Sequence, residues 1–249
     1  MKKHIPKDNG YENISKFYDD VLGHSDENIK FVRKSIQKYN KSAKSVFELG
    51  CGTGNNLLYL SEFYNAEGVD ISSSMLKLAT AKVGKSALHK GDIRSFVPQK
   101  KHDVVFCLYD TINHLLLFNE WKKVFKNVFN SLNENGLFIF DFNTFYKLDL
   151  ISEISPIVNR FDKNFLIADI NKISVNTFNW NLKVFEFKKD DDFKLHESNI
   201  KESSFDLKKI TDSLEKHFEI IETADEFDKK IHQHSERIYI VCRKKVLKK

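Results

Sequence analysis

Three glycines at alternate positions, Gly50, Gly52 and Gly54, follow the apolar run Val46-Phe47-Glu48-Leu49 and precede Asn55, Asn56, Leu57, Leu58, Tyr59 and Leu60. The turn Gly50-Cys51-Gly52-Thr53-Gly54 has almost no side chains, so a ligand can approach its backbone closely. A helix starting at Asn55 would turn unpaired N–H groups toward that ligand. A dinucleotide would call for the third glycine of G-x-G-x-x-G, and Asn55 stands at that place. Glu48 would repel a pyrophosphate and favour a ligand with an ammonium or sulfonium charge. Two more acids follow, Asp70 after Gly68-Val69 and Asp92 after Gly91. A carboxylate accepts two hydroxyl protons well. Asp70 could also simply cap a helix through Ser73, and Asp92 could simply make a turn.

These residues need a scaffold that gathers them at one edge. Strand patterns at 45–49, 66–70, 87–90, 103–108 and 137–142 alternate with helical patterns. The first helix covers 55–63. The second runs from Met75 to Val83 behind the N-cap cluster Ser72-Ser73-Ser74. A third carries Trp121, Val124, Phe125, Val128, Phe129 and Leu132 at helical spacing and closes at Asn135-Gly136. The strand at 103–108 is apolar along its length, as strands buried on both faces are. The order calls for an α/β fold with a mostly parallel sheet and helices on both faces, and ligands in such sheets bind beyond the carboxyl ends of the strands.

After Pro156 the pattern changes. Short, often alternating runs at 165–170, 173–178, 182–187 and 193–200, with Asp190-Asp191-Asp192 as a turn, predict an antiparallel sheet. A helix at 206–217 and strands at 218–222 and 238–242 then close the main sheet. The expected organisation is a core of residues 1–155 and 205–249, with a helical cap over about 1–40 and a loop near Gly23-His24-Ser25. Residues 156–204 form an inserted sheet, a wall for a substrate or a dimer surface.

The segment from Val46 to Asn56 resembles motif I of the class I S-adenosylmethionine-dependent methyltransferases, and the similarity covers about residues 44–143. S-adenosylmethionine carries both an ammonium and a sulfonium and has no phosphate. The resemblance implies a Rossmann-like seven-stranded sheet. It implies that Asp70, beside Ile71, grips the ribose hydroxyls, and that Asp92, after Gly91, meets the adenine amino group while Ile93 offers its N–H to the ring. Met75 would pack on the adenine, although taken alone it reads more often as core. Glu48, Gly50, Cys51, Gly52, Gly54 and Asn55 are implied as further cofactor contacts, as are Leu108 and Tyr109 at the end of the fourth strand. Tyr18, in the N-terminal helical cap, could contact the methionine part or only pack on the sheet. The usual glycine of the turn before the closing strands is replaced, with His217 before Phe218.

Methyl transfer is an in-line displacement, so the protein must mainly hold a nucleophile close and aligned. A base is needed only if the nucleophile must lose a proton. Tyr109-Asp110-Thr111-Ile112-Asn113-His114-Leu115 is the site candidate and resembles the Y-D-x-I-N-x-L segment of small-molecule methyltransferases, including amino-sugar N-methyltransferases. His114 is the candidate base, with Asp110 beside it. Asn113, Phe178 and Trp180 are the further candidates for substrate contact. The expected reaction is methyl transfer to a small molecule, an amine before a hydroxyl. The alternatives are a magnesium-assisted O-methyltransferase using Asp110, Asp141 and Asn143, and a binding module without chemistry. His232, His234 and Glu236 read as a solvated loop, and no resident metal is expected.

The bulk properties agree. The chain has 249 residues, 41% hydrophobic and 30% charged, enough for a real core. The net charge of +5 is weak evidence for nucleic acid, and no basic and aromatic stripe supports it. Arg243-Lys244-Lys245 and Lys248-Lys249 read as a solvated tail. Cys51, Cys107 and Cys242 are odd in number and far apart, which fits a reducing cytoplasm rather than a disulfide framework. The apolar runs are too short for a membrane span, and no apolar stretch follows the basic start, so neither a membrane nor a signal peptide is expected. A monomer or a homodimer would satisfy all of this.

Overall fold

The computed structural model describes residues 10–21, 26–190, 192–227 and 229–246, so the expected loop at 23–25, Asp191 and the end of the basic tail lie outside the described residues. A short 3-10 turn, Ser15–Phe17, leads into α1 (Tyr18–Val21), followed by α2 (Asp26–Tyr39). The main unit then runs β1 (Ser45–Leu49), α3 (Asn55–Ser61), β2 (Asn65–Asp70), α4 (Ser73–Val83), β3 (Leu88–Lys90), β4 (His102–Cys107), α5 (Phe118–Ser131) and β5 (Leu132–Asn143). After α6 (Phe145–Glu153) come β6 (Ile157–Phe161), β7 (Asn164–Lys172), β8 (Thr177–Phe187) and β9 (Phe193–Ser203). The chain returns through α7 (Leu207–Leu214), β10 (Phe218–Asp225) and β11 (Arg237–Lys244).

The seven-stranded sheet has the order β10-β11-β5-β4-β1-β2-β3. Strands β1 to β5 are parallel to one another, and β11 runs antiparallel between β5 and β10. The order reverses between β1 and β4, which places a crevice at their carboxyl ends. Alternation along these strands splits the core. Phe47, Val105 and Cys107 join Trp121 and Phe125 of α5 and Phe138, Phe140 and Phe142 of β5 on one face. Val46, Val104 and Phe106 join Ile29, Val32 and Ile36 of α2 and Leu57 and Leu60 of α3 on the other. Each fully buried side chain of this size contributes roughly 1.5–3 kcal/mol. The apolar run of β4 thus has its cause in two covered faces.

Strands β6 to β9 form a separate four-stranded antiparallel sheet. Its inner face carries Phe161, Leu166, Ala168, Ile170, Phe178, Leu182, Val184 and Ile200, covered by Ile14 and Phe17 of the N-terminal segment and Leu148 of α6. The expected break near 179–181 is absent. Residues 177–187 are one strand that pairs with β9 from Thr177↔Ser203 to Phe187↔Phe193. Asn179 and Asn181 look like a polar interruption in sequence, but they alternate outward from Phe178 and Leu182. The turn lies instead at 173–176, closed by Ile173 N–H and Ser174 N–H donating to Thr177 O. β6 and α6 were not foreseen in the sequence.

Helix α5 ends at Ser131, earlier than its periodicity suggests, and Asn135-Gly136 lies inside β5 with Asn135 at φ 59°. Arg243 and Lys244 are strand residues rather than tail, and Lys244 donates to Leu132 O at 2.6 Å. All three cysteines are buried and free. Among the described residues no helix is long and apolar enough to cross a membrane.

Candidate functional site

The glycine turn is built by close approach. Gly50 has φ 73°, and a Cβ on it would lie 2.4 Å from Thr111 Cγ2, so only glycine lets the loop after β4 come this near. Gly54 has φ 81° at the N-cap of α3, and its missing Cβ makes room for Ala79 of α4 at 2.9 Å. Gly54 therefore serves helix packing and lines neither cleft described next.

Two clefts open at this crevice and meet at Gly50 and Thr111. The larger, about 380 Å³, is lined by Gly50, Asp70, Ile71, Gly91, Asp92 and Ile93, together with Arg94 and His114. The smaller is lined by Tyr18, Glu48, Cys51, Gly52, Asn55, Leu108 and Tyr109, together with Asp19 and Asn56. The structure thus brings together all the cofactor residues read from sequence except Gly54 and Met75. Met75 is 2% exposed, buried at the first turn of α4 with its N–H on Ser72 Oγ.

Asp70 is fixed from below. Its Oδ2 accepts from Gly52 N–H at 2.9 Å and its Oδ1 from Ser72 N–H at 2.8 Å, which leaves a lone pair on each oxygen for the cleft. Burial pushes its pKa up, against these backbone hydrogen bonds. Asp92 is already engaged. Burial works against its ionisation, but Arg94 donates Nε to both its oxygens at 2.9 Å, and the net effect holds the carboxyl below its ordinary value. Arg94 also reaches Glu120 at 2.7 Å. Glu48 is 2% exposed. Burial, with Asp70 nearby, pushes its pKa up to about 8 against one hydrogen bond from Asn56.

A strap from Gly10 to Val21 crosses the crevice. Glu12 Oε1 accepts from Ser72 Oγ at 3.0 Å and Ser73 N–H at 2.8 Å, capping α4 beside Asp70. Asp19 accepts from Thr53 Oγ1 at 2.6 Å and Asn55 Nδ2 at 3.0 Å and pairs with Lys82 at 2.7 Å. Tyr11 meets Tyr18 edge-on within the strap, with ring centroids 5.5 Å apart.

The loop after β4 is held in a strained form, with Tyr109 at φ 55° and Asp110 at φ 51°. Asp141 of β5 secures it by accepting from the N–H groups of Tyr109 at 3.1 Å and Asp110 at 2.8 Å. Arg237 donates to Asp141 at 2.8 Å and to Asp110 at 2.7 Å. A guanidinium therefore stands where the sequence reading allowed a magnesium ion on Asp110, Asp141 and Asn143. Asn143 instead donates Nδ2 to Glu202 of β9 at 3.3 Å.

His114 has its Nδ1 3.3 Å from Lys201 O and its Nε2 3.3 Å from the Tyr11 hydroxyl. A carbonyl only accepts, so Nδ1 carries the proton and Nε2 accepts from Tyr11. Burial lowers the His114 pKa, which keeps the ring neutral. Ligand atoms of Asp110, His114 and Glu202 lie within 4.8 Å of one another. Glu202 is 4% exposed, and burial and then Asp110 push its pKa well above the usual carboxylate range.

Two substrate candidates have other roles. Asn113 is fully buried, donates to Asn143 O and Ser203 O at 3.0 Å each, and accepts from Asn143 N–H at 3.0 Å. It ties β5 to β9 and so joins the two sheets. Phe178 is fully buried in the core of the second sheet, because its strand face is covered by the strap and α6. Trp180 packs against that core, with its Nε1 buried and unpartnered. His232 and His234 are exposed in the loop before β11. Tyr11, Glu12, Asp19, Arg94, Glu202 and Arg237 were not singled out as site residues by sequence. For Glu202 and Arg237 no local signal exists, since their partners are 59 to 127 residues away.

Comparison with known proteins matches residues 46–136 to a family described as a methyltransferase domain. A relative in Geobacillus sp. (strain WCH70), provisionally named a methyltransferase, is 26% identical over 94% of this chain and 99% of its own length. An S-adenosylmethionine-dependent methyltransferase from Clostridium acetobutylicum ATCC 824 shares the fold with a TM-score of 0.83, at 24% identity over 94% of this chain and 98% of that one. The dTDP-3-amino-3,6-dideoxy-alpha-D-glucopyranose N,N-dimethyltransferase of Streptomyces fradiae is 32% identical over 32% of this chain and 32% of its own length.

Proposed function

Because this chain is a class I S-adenosylmethionine-dependent methyltransferase, we propose that its methyl acceptor is an amine on a small polar molecule. The observation that carries this reading is the cluster of Asp110, Glu202 and His114 within 4.8 Å beside the cleft. A cation entering this desolvated site meets the Asp110 carboxylate and favours the ionised form of Glu202, and a protonated amine is the cation a methyl acceptor brings. The sugar N,N-dimethyltransferase of Streptomyces fradiae supports an amine by analogy.

The residues fit the cofactor. Asp70 keeps free lone pairs toward the larger cleft, and Glu48 keeps an unpartnered oxygen at the smaller one. When bound, S-adenosylmethionine supplies a methyl group on a sulfonium that gives it up to a nucleophile in line. Asp110 and Glu202 seat the acceptor's ammonium. Neutral His114, whose Nε2 faces the Tyr11 hydroxyl, takes up the proton that the amine must shed before attack. Tyr11 and Tyr18 of the strap exclude water above the reacting centre.

The test is a panel of amines, amino sugars, alcohols and phenols, with release of S-adenosylhomocysteine as the readout. Amine-dependent release that survives a strong chelator supports the proposal. Release only with phenols or catechols, abolished by chelator, would replace it with metal-assisted O-methylation. No release with any acceptor would favour a binding module.

A further inference from the structure

Glu48 is a buried acid to which the fold gives half a partner. Its Oε1 accepts from Asn56 Nδ2 at 2.6 Å, and its Oε2 is buried without any hydrogen bond. It lines the smaller cleft with Tyr18, Asp19, Gly52 and Tyr109. Among the described residues, the groups around it supply no free cation. β2 contributes Asp70, the glycine turn Cys51 and β4 Cys107; the strap contributes Tyr18 and Asp19, and the loop after β4 Tyr109. Lys82 is held by Asp19 and Asn55, and Arg237 by Asp110 and Asp141. An ionised Glu48 would be a buried charge with one amide for company, whereas a neutral acid costs far less there.

We propose that Glu48 is protonated in the cofactor-free protein and ionises when the α-ammonium of the cofactor enters the smaller cleft, so that binding expels one proton to solvent. The O–H bond of the acid breaks, its electron pair stays on the carboxylate, and the proton passes to the buffer. The carboxylate then faces the ammonium, and charge is conserved. This inference concerns the cofactor alone and stands apart from the nature of the acceptor. The sign follows from linkage. A carboxyl held at about 8 when the cleft is free and lowered by an ammonium binds more protons in the free protein. Apparent affinity therefore rises with pH up to about 8, by about tenfold per unit.

The experiment is titration calorimetry of S-adenosylhomocysteine at pH 6.5 in buffers of different ionisation enthalpy, which counts protons released. The expected result is about one proton per cofactor, with the dissociation constant falling about tenfold between pH 6.5 and 7.5. 5′-Methylthioadenosine keeps the ribose and adenine but lacks the ammonium, so it should bind without proton release. Glu48→Gln should bind S-adenosylhomocysteine with no proton release and a flat pH profile. Absence of buffer dependence in the unaltered protein would overturn the proposal. So would equal release with 5′-methylthioadenosine or from Glu48→Gln. If Glu48→Gln proves unstable, the two-ligand comparison on the unaltered protein decides alone.

Discussion

Arg237 donates one guanidinium nitrogen to Asp141 at 2.8 Å, at the point where β11 delivers it beside the end of β5. Its other nitrogen reaches Asp110 at 2.7 Å. Arg237 and Asp110 are 13% and 17% exposed in their side chains and Asp141 is fully buried, so this is an interior ion network rather than a surface pair. It sets the loop that presents Asp110 and His114.

Removing the arginine leaves two carboxylates without their cation. Arg237→Gln should destabilise the protein by about 3–5 kcal/mol, the cost of breaking a buried pair from one side. Thermal unfolding measures this. Methyl transfer should fall with it even where the variant is fully folded, because the strained turn at Tyr109 and Asp110 loses its anchor.

Asp70 is expected to act on the cofactor and not on the acceptor. Asp70→Asn should weaken S-adenosylhomocysteine binding by about 1.5–3 kcal/mol, roughly 10- to 150-fold, the range for hydrogen bonds to a charged group. Calorimetry checks the value. Acceptor KM at saturating cofactor should hold nearly constant.

His114 should control the acid side of the pH–rate curve. Burial lowers its pKa, so the base is neutral down to a pH below the ordinary histidine range. The rate should rise with pH and level off early. His114→Asn should lose that limb and about 10²–10⁴-fold in kcat. Tyr11→Phe should keep the limb with a smaller loss, since the imidazole remains. A limb unchanged in His114→Asn would remove the histidine from the proton path.

Glu12 pins the strap to α4. Glu12→Ala should speed proteolysis within residues 10–21 and weaken cofactor binding several-fold, with S-adenosylhomocysteine restoring protection. Burial opposes ionisation of Glu12, but hydrogen bonds from Ser74, Ser72 and Ser73 hold its pKa below the ordinary value. A depressed carboxyl contributes stability above its unfolded pKa and loses it as pH falls through the folded one. The strap of the unaltered protein should therefore loosen only in acid, below the usual carboxylate range.

The parts of the fold legible in sequence are those written locally. The strand at 45–49, the glycine turn, Ser72 at an N-cap and the apolar strand into Cys107 all follow from short-range pattern, and the structure has them. The second sheet was legible in kind but not in register, because Asn179 and Asn181 hide the continuity of β8. The candidate site was half legible. Glycine spacing and single acids marked residues that line the two clefts. The cluster beside them depends on residues far apart in sequence, such as Asp110 with Arg237 within the main sheet and Asn143 with Glu202 between the two sheets. Asn113 shows the opposite error. Its place beside His114 suggests contact with substrate, while its three backbone hydrogen bonds give it a structural task.

The two carboxylate anchors of the strap imply a sequence of events in turnover. Glu12 holds one end of the crevice and Asp19 the other, and Ile14 and Phe17 between them are committed to the second sheet. If the spent cofactor lies beneath this strap, its exchange requires both anchors to let go, whereas the acceptor's does not. The kinetics should be ordered, with methylated product departing first and the demethylated nucleoside last, and the slow step of each cycle should be unlatching rather than bond making.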